Sequence, residues 1–213
     1  MPPRGRFITF EGGEGAGKST QVKRLAATLR AAGIDCVETR EPGGAPGAEE
    51  IRRLLVTGEI HRWDPATEAL LHMAARREHL VRTVWPALEA GRWVISDRFA
   101  DSTMAYQGYA QGVGREAVEA LYGAAVGAFT PDLTLILDVP PGMGLKRIDE
   151  RQHDETRYER MAGTFHVALR EAFLDIARRE PARCTVVDGT GGVDEVAAAI
   201  RAVVATRLGL HVS

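Results

Sequence analysis

GGEGAGKST, residues 12 to 20, is a glycine-rich run that closes on a lysine and two hydroxyl residues. Gly12, four further residues, Gly17, Lys18 and Ser19 fit the spacing G-x-x-x-x-G-K-[ST]. Before it lies RFITF (6 to 10), a short apolar stretch expected as a strand. After it Val22, Leu25, Ala26 and Leu29 recur at helical spacing up to Gly33, which predicts a helix that starts near Ser19. Strand, glycine loop and helix in that order is the context in which such a run grips phosphate. Glycine lets the backbone curl with its N–H groups pointing inward, and the helix adds the positive end of its dipole. Gly12, Gly13, Glu14, Gly15, Ala16, Gly17, Lys18, Ser19 and Thr20 are therefore the candidates for holding the phosphates of a nucleotide. Lys18 supplies a mobile point charge for the β and γ phosphates, and Ser19 is a candidate magnesium ligand.

Outward from the loop the same alternation continues. IDCVE (34 to 38), WVIS (93 to 96), LTLIL (133 to 137) and TVV (185 to 187) are four more strand candidates, each separated from the next by segments of helical period. Five strands spaced by helices predict an α/β fold with a largely parallel sheet. Asp64 before Pro65 signals a helix start; the pattern then holds to about Leu88, with Pro86 as a kink and Gly91 as the stop. On that helix His72, Arg76, His79 and Thr83 share a face. Near the carboxyl end Val196, Ile200, Val203 and Val204 mark one face of another helix.

At 213 residues, 45% hydrophobic and 26% charged, the chain is expected to form one domain spanning 1–213. Net charge is -2, from 27 cationic and 29 anionic side chains, and no block of like charge marks a nucleic-acid or membrane tail. MPPRGRFITF lacks the apolar core of a leader, and nowhere do about 18 apolar residues run together, so a cytoplasmic location is expected. Cys36 and Cys184 fall in strand candidates without CxxC spacing and are expected as buried reduced thiols. Only Lys18, Lys23 and Lys146 are lysines, so a lysine at the position a phosphate loop requires carries weight, whereas a single arginine carries little. A carboxylate at the end of another strand usually helps to hold the metal. WVISD ends in Asp97 and LTLILD in Asp138; spacing alone does not choose, but Arg98 beside Asp97 at the carboxyl edge of the sheet favours Asp97.

Further motifs narrow the chemistry: TREPGG (39 to 44), IRRLL (51 to 55), the stripe that holds Arg76, DRFADSTMAYQG (97 to 108), PDLTLILDV (131 to 139) and GLKR (144 to 147). With the phosphate loop, these closely resemble the thymidylate kinases over nearly the whole chain. The resemblance implies a P-loop NTPase-type fold, a five-stranded parallel sheet flanked by helices with a mobile lid. It also implies a homodimer, and transfer of the γ-phosphoryl of ATP to dTMP with Mg2+. Arg40, Arg52, Arg76 and Arg98 then fall on the acceptor side, with Arg76 and Arg98 as forks for phosphate oxygens. Glu14 matches the acidic residue near the deoxyribose 3'-hydroxyl and the acceptor phosphate, and Thr103, Tyr106 and Gln107 match positions around thymine.

KRIDERQHDETRYER (146 to 160) is dense in charge, short of apolar anchors and expected as the lid. The family divides by whether a catalytic arginine sits in the phosphate loop or in the lid, and residues 12 to 18 contain none. Arg147, Arg151 and Arg157 are the lid candidates. The resemblance gives Arg157 the place of the arginine that reaches the transferring phosphoryl, which makes the catalytic set Lys18, Asp97, Arg98, Arg157 and Glu14. Adenine is expected near Asp188 to Gly192. Where the family has a phenylalanine stacked on thymine this chain has His72, so weaker, pH-sensitive base binding is expected. Phe99 is a smaller departure. Of the rival classes, a GTPase switch commonly uses NKxD, and the chain holds no asparagine. Another small-molecule kinase would share the loop and lid but not TREPGG and AYQG, and a nucleic-acid-dependent ATPase would ignore dTMP.

Overall fold

The structure is a computed structural model that describes residues 4–149 and 157–210. Among these residues β1 (Phe7–Glu11), β2 (Cys36–Arg40), β3 (Trp93–Asp97), β4 (Leu133–Asp138) and β5 (Cys184–Asp188) form one parallel sheet in the order β2-β3-β1-β4-β5. The expected strands are the observed ones, with their ends moved by a residue or two. β1 lies at the centre, and the chain goes to one side of it for β2 and β3 and to the other for β4 and β5. Its carboxyl end is therefore a switch point, where α/β sheets leave a crevice for ligands.

Side chains alternate across the sheet. Ile8 and Phe10, with Ile95, Leu135 and Leu137, face a core filled by α1 (Lys18–Ala31) and α9 (Val193–Leu208) through Leu25, Leu29, Ile200 and Val204. Phe7, Val94 and Ile136 point the other way. They meet residues of α4 (Trp85–Glu89), α6 (Arg115–Val126) and α8 (Gly163–Arg179). Both cysteines are buried free thiols. The second face also carries a polar strip: Thr9, Ser96 and Thr134 are buried, and the Thr9 and Thr134 hydroxyls lie 2.9 Å apart.

The long helix begins as its sequence predicts. The Asp64 carboxylate accepts the backbone N–H groups of Ala66 and Thr67, both at 3.1 Å, and Pro65 occupies the first turn. α3 (Pro65–His79) then widens into a π turn at Leu80–Val84 before α4 resumes, with Trp85 N–H reaching back to Leu80 O. Pro86 supplies the reason, because it has no N–H to give and its ring crowds the carbonyl four residues earlier. α2 (Pro46–Val56) follows the TREPGG turn, and α5 (Ala100–Thr103) runs into a second π turn, Met104–Ala110.

α7 (Pro141–Asp149) enters the expected lid; residues 150–156, Arg151 among them, lie outside the described residues. The helix rests on the phosphate loop through two glycines. A Cβ on Gly144 would lie 2.3 Å from Glu14 O, and one on Gly15 would lie 2.0 Å from Gly144 O. Gly142, earlier on the same helix, meets nothing within 4 Å. Gly144→Ala should therefore destabilise the fold by about 1–3 kcal/mol by forcing the two backbones apart. Gly142→Ala should instead be neutral or stabilising by up to about 1 kcal/mol. Urea denaturation of both variants checks this, and an equal response from the two would refute the close contact.

Candidate active site

A cavity of about 510 Å³ opens at the carboxyl ends of β1, β2 and β3. Its floor is the loop after β1, with Gly17 in a left-handed conformation (φ 91°) at the cap of α1. Gly13 and Gly17 face open space, so the loop keeps a bare backbone surface against which an anion fits. Lys18 bends over that surface and its Nζ donates to Gly12 O at 3.1 Å and Gly13 O at 2.8 Å. Burial, helped by Arg98, pushes its ammonium down to about 8, while Glu14, Asp97 and Glu11 oppose the shift.

Ser19 and Asp97 meet at the mouth of the cavity, where the Ser19 hydroxyl donates to Asp97 Oδ2. Among the described residues no three His, Cys, Asp or Glu side chains converge. A hydroxyl and a carboxylate beside a phosphate cradle suit magnesium, which takes few protein ligands and completes its shell with phosphate oxygens and water. Asp138, the alternative carboxylate, accepts both the Nε (2.6 Å) and Nη2 (2.8 Å) donors of Arg170.

Arg98 joins the loop to the turn that opens α5. Its backbone is left-handed (φ 72°), the one such non-glycine residue among those described, and a conformation of this kind costs about 1–3 kcal/mol. Its Nη1 donates to Gly12 O and Ser102 Oγ, both at 3.0 Å, and its Nη2 to Glu14 Oε1 at 3.0 Å. The guanidinium also lies 5.1 Å from the centre of the Tyr106 ring, whose hydroxyl donates to Glu14 Oε1 at 2.6 Å. Burial alone would raise the Glu14 carboxyl, but Arg98, Lys18 and Tyr106 outweigh it and hold the group down at about 2. Glu14 is thus an anion locked against the loop, as its expected role requires.

The opposite wall comes from β2, α2 and α3. Arg40 and Arg52 both line the cavity; Arg40 pairs with Glu49 at 3.1 Å and Arg52 donates to Pro42 O at 2.6 Å. Arg76 also lines it, but not as the free fork expected for phosphate. It is 1% exposed, its Nε pairs with Glu41 Oε2 at 2.8 Å, and its Nη2 donates to Phe99 O and Thr103 Oγ1. Its Nη1 contacts the Met73 sulfur, a weak acceptor, at 3.3 Å, which leaves donor capacity beside Thr103 and Gln107. The shared face of α3 divides here. His79 bonds Glu41 and Thr39 at 2.8 and 2.7 Å, and Thr83 donates to Gly44 O, so both fasten the TREPGG turn rather than line the cavity.

His72 and Tyr158 close the wall, with His72 Nε2 and the Tyr158 hydroxyl 3.1 Å apart. Burial, with Arg76, Arg157, Arg98 and Arg52 adding to it, lowers the imidazole to about 3. The expected pH sensitivity near neutrality is therefore overturned, because His72 stays neutral throughout that range. Arg157 is likewise placed elsewhere than expected. It is 1% exposed, does not line the cavity, pairs with Glu68 Oε2 at 2.5 Å, and donates to the carbonyls of Leu55, Glu59 and Ile60. Arg147 donates to Gly189 O at 3.3 Å, which sets it beside the loop expected to receive adenine.

Three buried carboxylates escaped the sequence analysis as site-forming groups: Glu11, Glu41 and Glu68. Each had a signal, since Glu11 is a charge closing the apolar run FITF, Glu41 sits inside TREPGG, and Glu68 lies four residues before His72 on one helix face. Glu68 Oε1 accepts the amide groups of Gln107 and Gln111, both at 2.8 Å. Gln107 Oε1 is left buried with no hydrogen-bond partner among the described residues.

Comparison with known proteins agrees with this geometry. The thymidylate kinase family model matches residues 10–200. Thymidylate kinases of Caulobacter vibrioides and Ruegeria pomeroyi are 53% identical over 207 residues and 51% identical over 208. The first alignment covers 97% of this chain and 99% of the relative, the second 98% of each. The crystal structure of thymidylate kinase from Ehrlichia chaffeensis superposes with a TM-score of 0.78 at 34% identity, covering 95% of this chain and all of that one. With a phosphate loop, an acceptor wall and matches of this extent, the chain belongs to the thymidylate kinase family.

Proposed function

We propose that this chain transfers the γ-phosphoryl group of ATP to dTMP, giving dTDP and ADP on the route to dTTP. The observation that carries this reading is Arg98, which is bonded to the phosphate loop at Gly12 and Glu14 and lines the same cavity as Arg40 and Arg52. Two polyanions repel one another, so catalysis of the transfer rests on positioning and charge compensation. The N–H groups of residues 12–20 and Lys18 hold the donor phosphates, and Arg98, Arg40 and Arg52 draw the acceptor phosphate toward them. Ser19 and Asp97 would hold Mg2+. Bound there, it would supply positive charge to offset that of the donor phosphates. Glu14, ionised and fixed by Arg98 and Tyr106, orients the deoxyribose.

Thymine is read by Thr103, Tyr106, Gln107 and Arg76 next to His72. An unpartnered amide oxygen at Gln107 and a spare Arg76 donor suit an imide, which offers one N–H between two carbonyls. Arg147 serves the ATP side with Arg151. Arg157, bound to Glu68, anchors the base of the lid and leaves contact with the phosphoryl group to those two. The chain acts as one domain and as a homodimer, for which the exposed Leu70 and Val81 on the α3 side supply apolar surface. No described helix is long and apolar enough to cross a membrane. A cytoplasmic enzyme that needs no nucleic acid fits these features. The rival is another monophosphate kinase, for which the loop and Arg98 would serve equally.

ADP release measured with ATP and Mg2+ over dTMP, dUMP, dCMP and thymidine should favour dTMP; a preference for another monophosphate would replace the acceptor assignment. Lys18→Ala and Arg98→Ala should each lower kcat/KM by about 10²–10³-fold or more. Asp97→Asn should raise the Mg2+ concentration needed for half-maximal rate, and an unchanged metal requirement would remove Asp97 from the site. Because His72 is neutral, the ratio of dTMP KM values for wild type and His72→Phe should stay constant between about pH 6 and 8. A ratio that moves with pH would mean that the imidazole titrates there.

A further inference from the structure

Glu11 ends β1 directly before the phosphate loop and is fully buried, yet it faces no substrate and does not line the cavity. Its two oxygens accept from two points of one turn. Oε1 takes the Phe99 N–H at 2.7 Å and Oε2 takes the Ser102 hydroxyl at 2.6 Å. Ser102 Oγ in turn accepts Arg98 Nη1 at 3.0 Å, and the same nitrogen donates to Gly12 O, one residue beyond Glu11. The contacts form a closed ring: carboxyl, serine, guanidinium, loop carbonyl and back to the carboxyl's own chain.

The ring encloses the strained residue. Arg98 N–H is held by Phe10 O at 2.8 Å and Arg98 C=O by the Ser96 hydroxyl at 2.7 Å. The next N–H, that of Phe99, is held by Glu11 alone among the described groups. With that bond gone, the Arg98–Phe99 peptide keeps only the Ser96 hydroxyl on its carbonyl side, and the strained turn relaxes more readily toward an ordinary backbone conformation that carries the guanidinium off the loop.

A carboxyl is a costly choice at this position. It is buried beside a second acid, Asp101, which Arg183 compensates with two contacts of 2.7 Å. Burial and Asp101 push Glu11 up to about 8, against the opposing effects of Ser102, Arg98 and the Phe99 N–H. In its ionised form, which the Ser102, Arg98 and Phe99 contacts favour, the carboxylate accepts from both donors that leave the turn in different directions. A glutamine offers one acceptor, and an apolar residue none.

We propose that Glu11 is a positioning residue for phosphoryl transfer, which acts by fixing the left-handed Arg98 turn and, through Ser102, its guanidinium. The proposal rests on the kinase reading above and adds to it a group that touches neither nucleotide.

The test measures kcat and both KM values on full-length wild type, Glu11→Gln, Ser102→Ala and the double variant at about pH 9, where the Glu11 carboxyl is ionised, with a thermal melt of each. Glu11→Gln should lower kcat by about tenfold or more while KM for ATP stays within about threefold, since the loop itself is untouched. Ser102→Ala should give a smaller loss in the same direction, and the double variant should be no worse than Glu11→Gln, because both act through one arginine. A Glu11→Gln enzyme within about twofold of wild-type kcat, or losses that multiply in the double variant, would overturn the proposal. Should Glu11→Gln not fold, Ser102→Ala decides alone: a loss of kcat supports the ring and wild-type kcat sinks it. Failure of the kinase reading is separate, since wild type itself would then release no ADP in response to dTMP.

Discussion

The site depends on one buried guanidinium. Arg98 bonds the Gly12 carbonyl, the Glu14 carboxylate and the Ser102 hydroxyl, so two segments that are remote in sequence, the loop at 12–14 and the turn at 98–102, meet on a single cation. A planar fork with five donors can satisfy all three partners at once, which an ammonium on a flexible stem cannot. The charge faces the cavity from a largely enclosed position, where water screens it less than at the open surface. Glu14 balances it until substrate arrives, and the balance explains why that carboxylate remains ionised despite burial.

Around this cation the fold repeats one device: a buried carboxylate that arranges groups from several elements. Glu41 holds Arg76 and His79 and so fixes the TREPGG turn against α3. Glu68 holds Arg157, Gln107 and Gln111 and so ties the segment that carries Arg157 to the one that carries Gln107. Buried ion pairs of this sort contribute little net stability, because desolvation offsets the attraction. Removing one partner is what costs the fold, and that asymmetry makes such pairs useful for setting geometry. The apolar layers on either side of the sheet supply the stabilisation, and the carboxylates settle where the functional groups stand.

Much of the molecule was legible in the chain. The five strands, the helix after the loop, the Asp64 cap and the proline-induced break in the long helix all follow from local periodicity and backbone stereochemistry. The phosphate loop, with Ser19 and Asp97 beside it, was legible for the same reason: a motif between a strand and a helix fixes its own geometry. Asp97 was preferred over Asp138 because Arg98 follows it; in the structure Asp97 meets Ser19, and Asp138 pairs with Arg170.

Sequence by itself determined which residues share a strand, a turn or a helix face, since these relations are set within a few residues by dihedral preference and hydrophobic period. It did not determine what a long charged side chain touches. Arg157 was expected at the phosphoryl group and instead meets Glu68 and carbonyls at the end of α2 and just beyond it; Arg76 was expected on phosphate and instead meets Glu41; His72 was expected to titrate and is held neutral. Each outcome depends on burial and on partners brought from distant segments by the packing of helices on the sheet. A guanidinium reaches several ångströms from its backbone, and a pKa responds to every charge within that reach, so only the folded arrangement decides them.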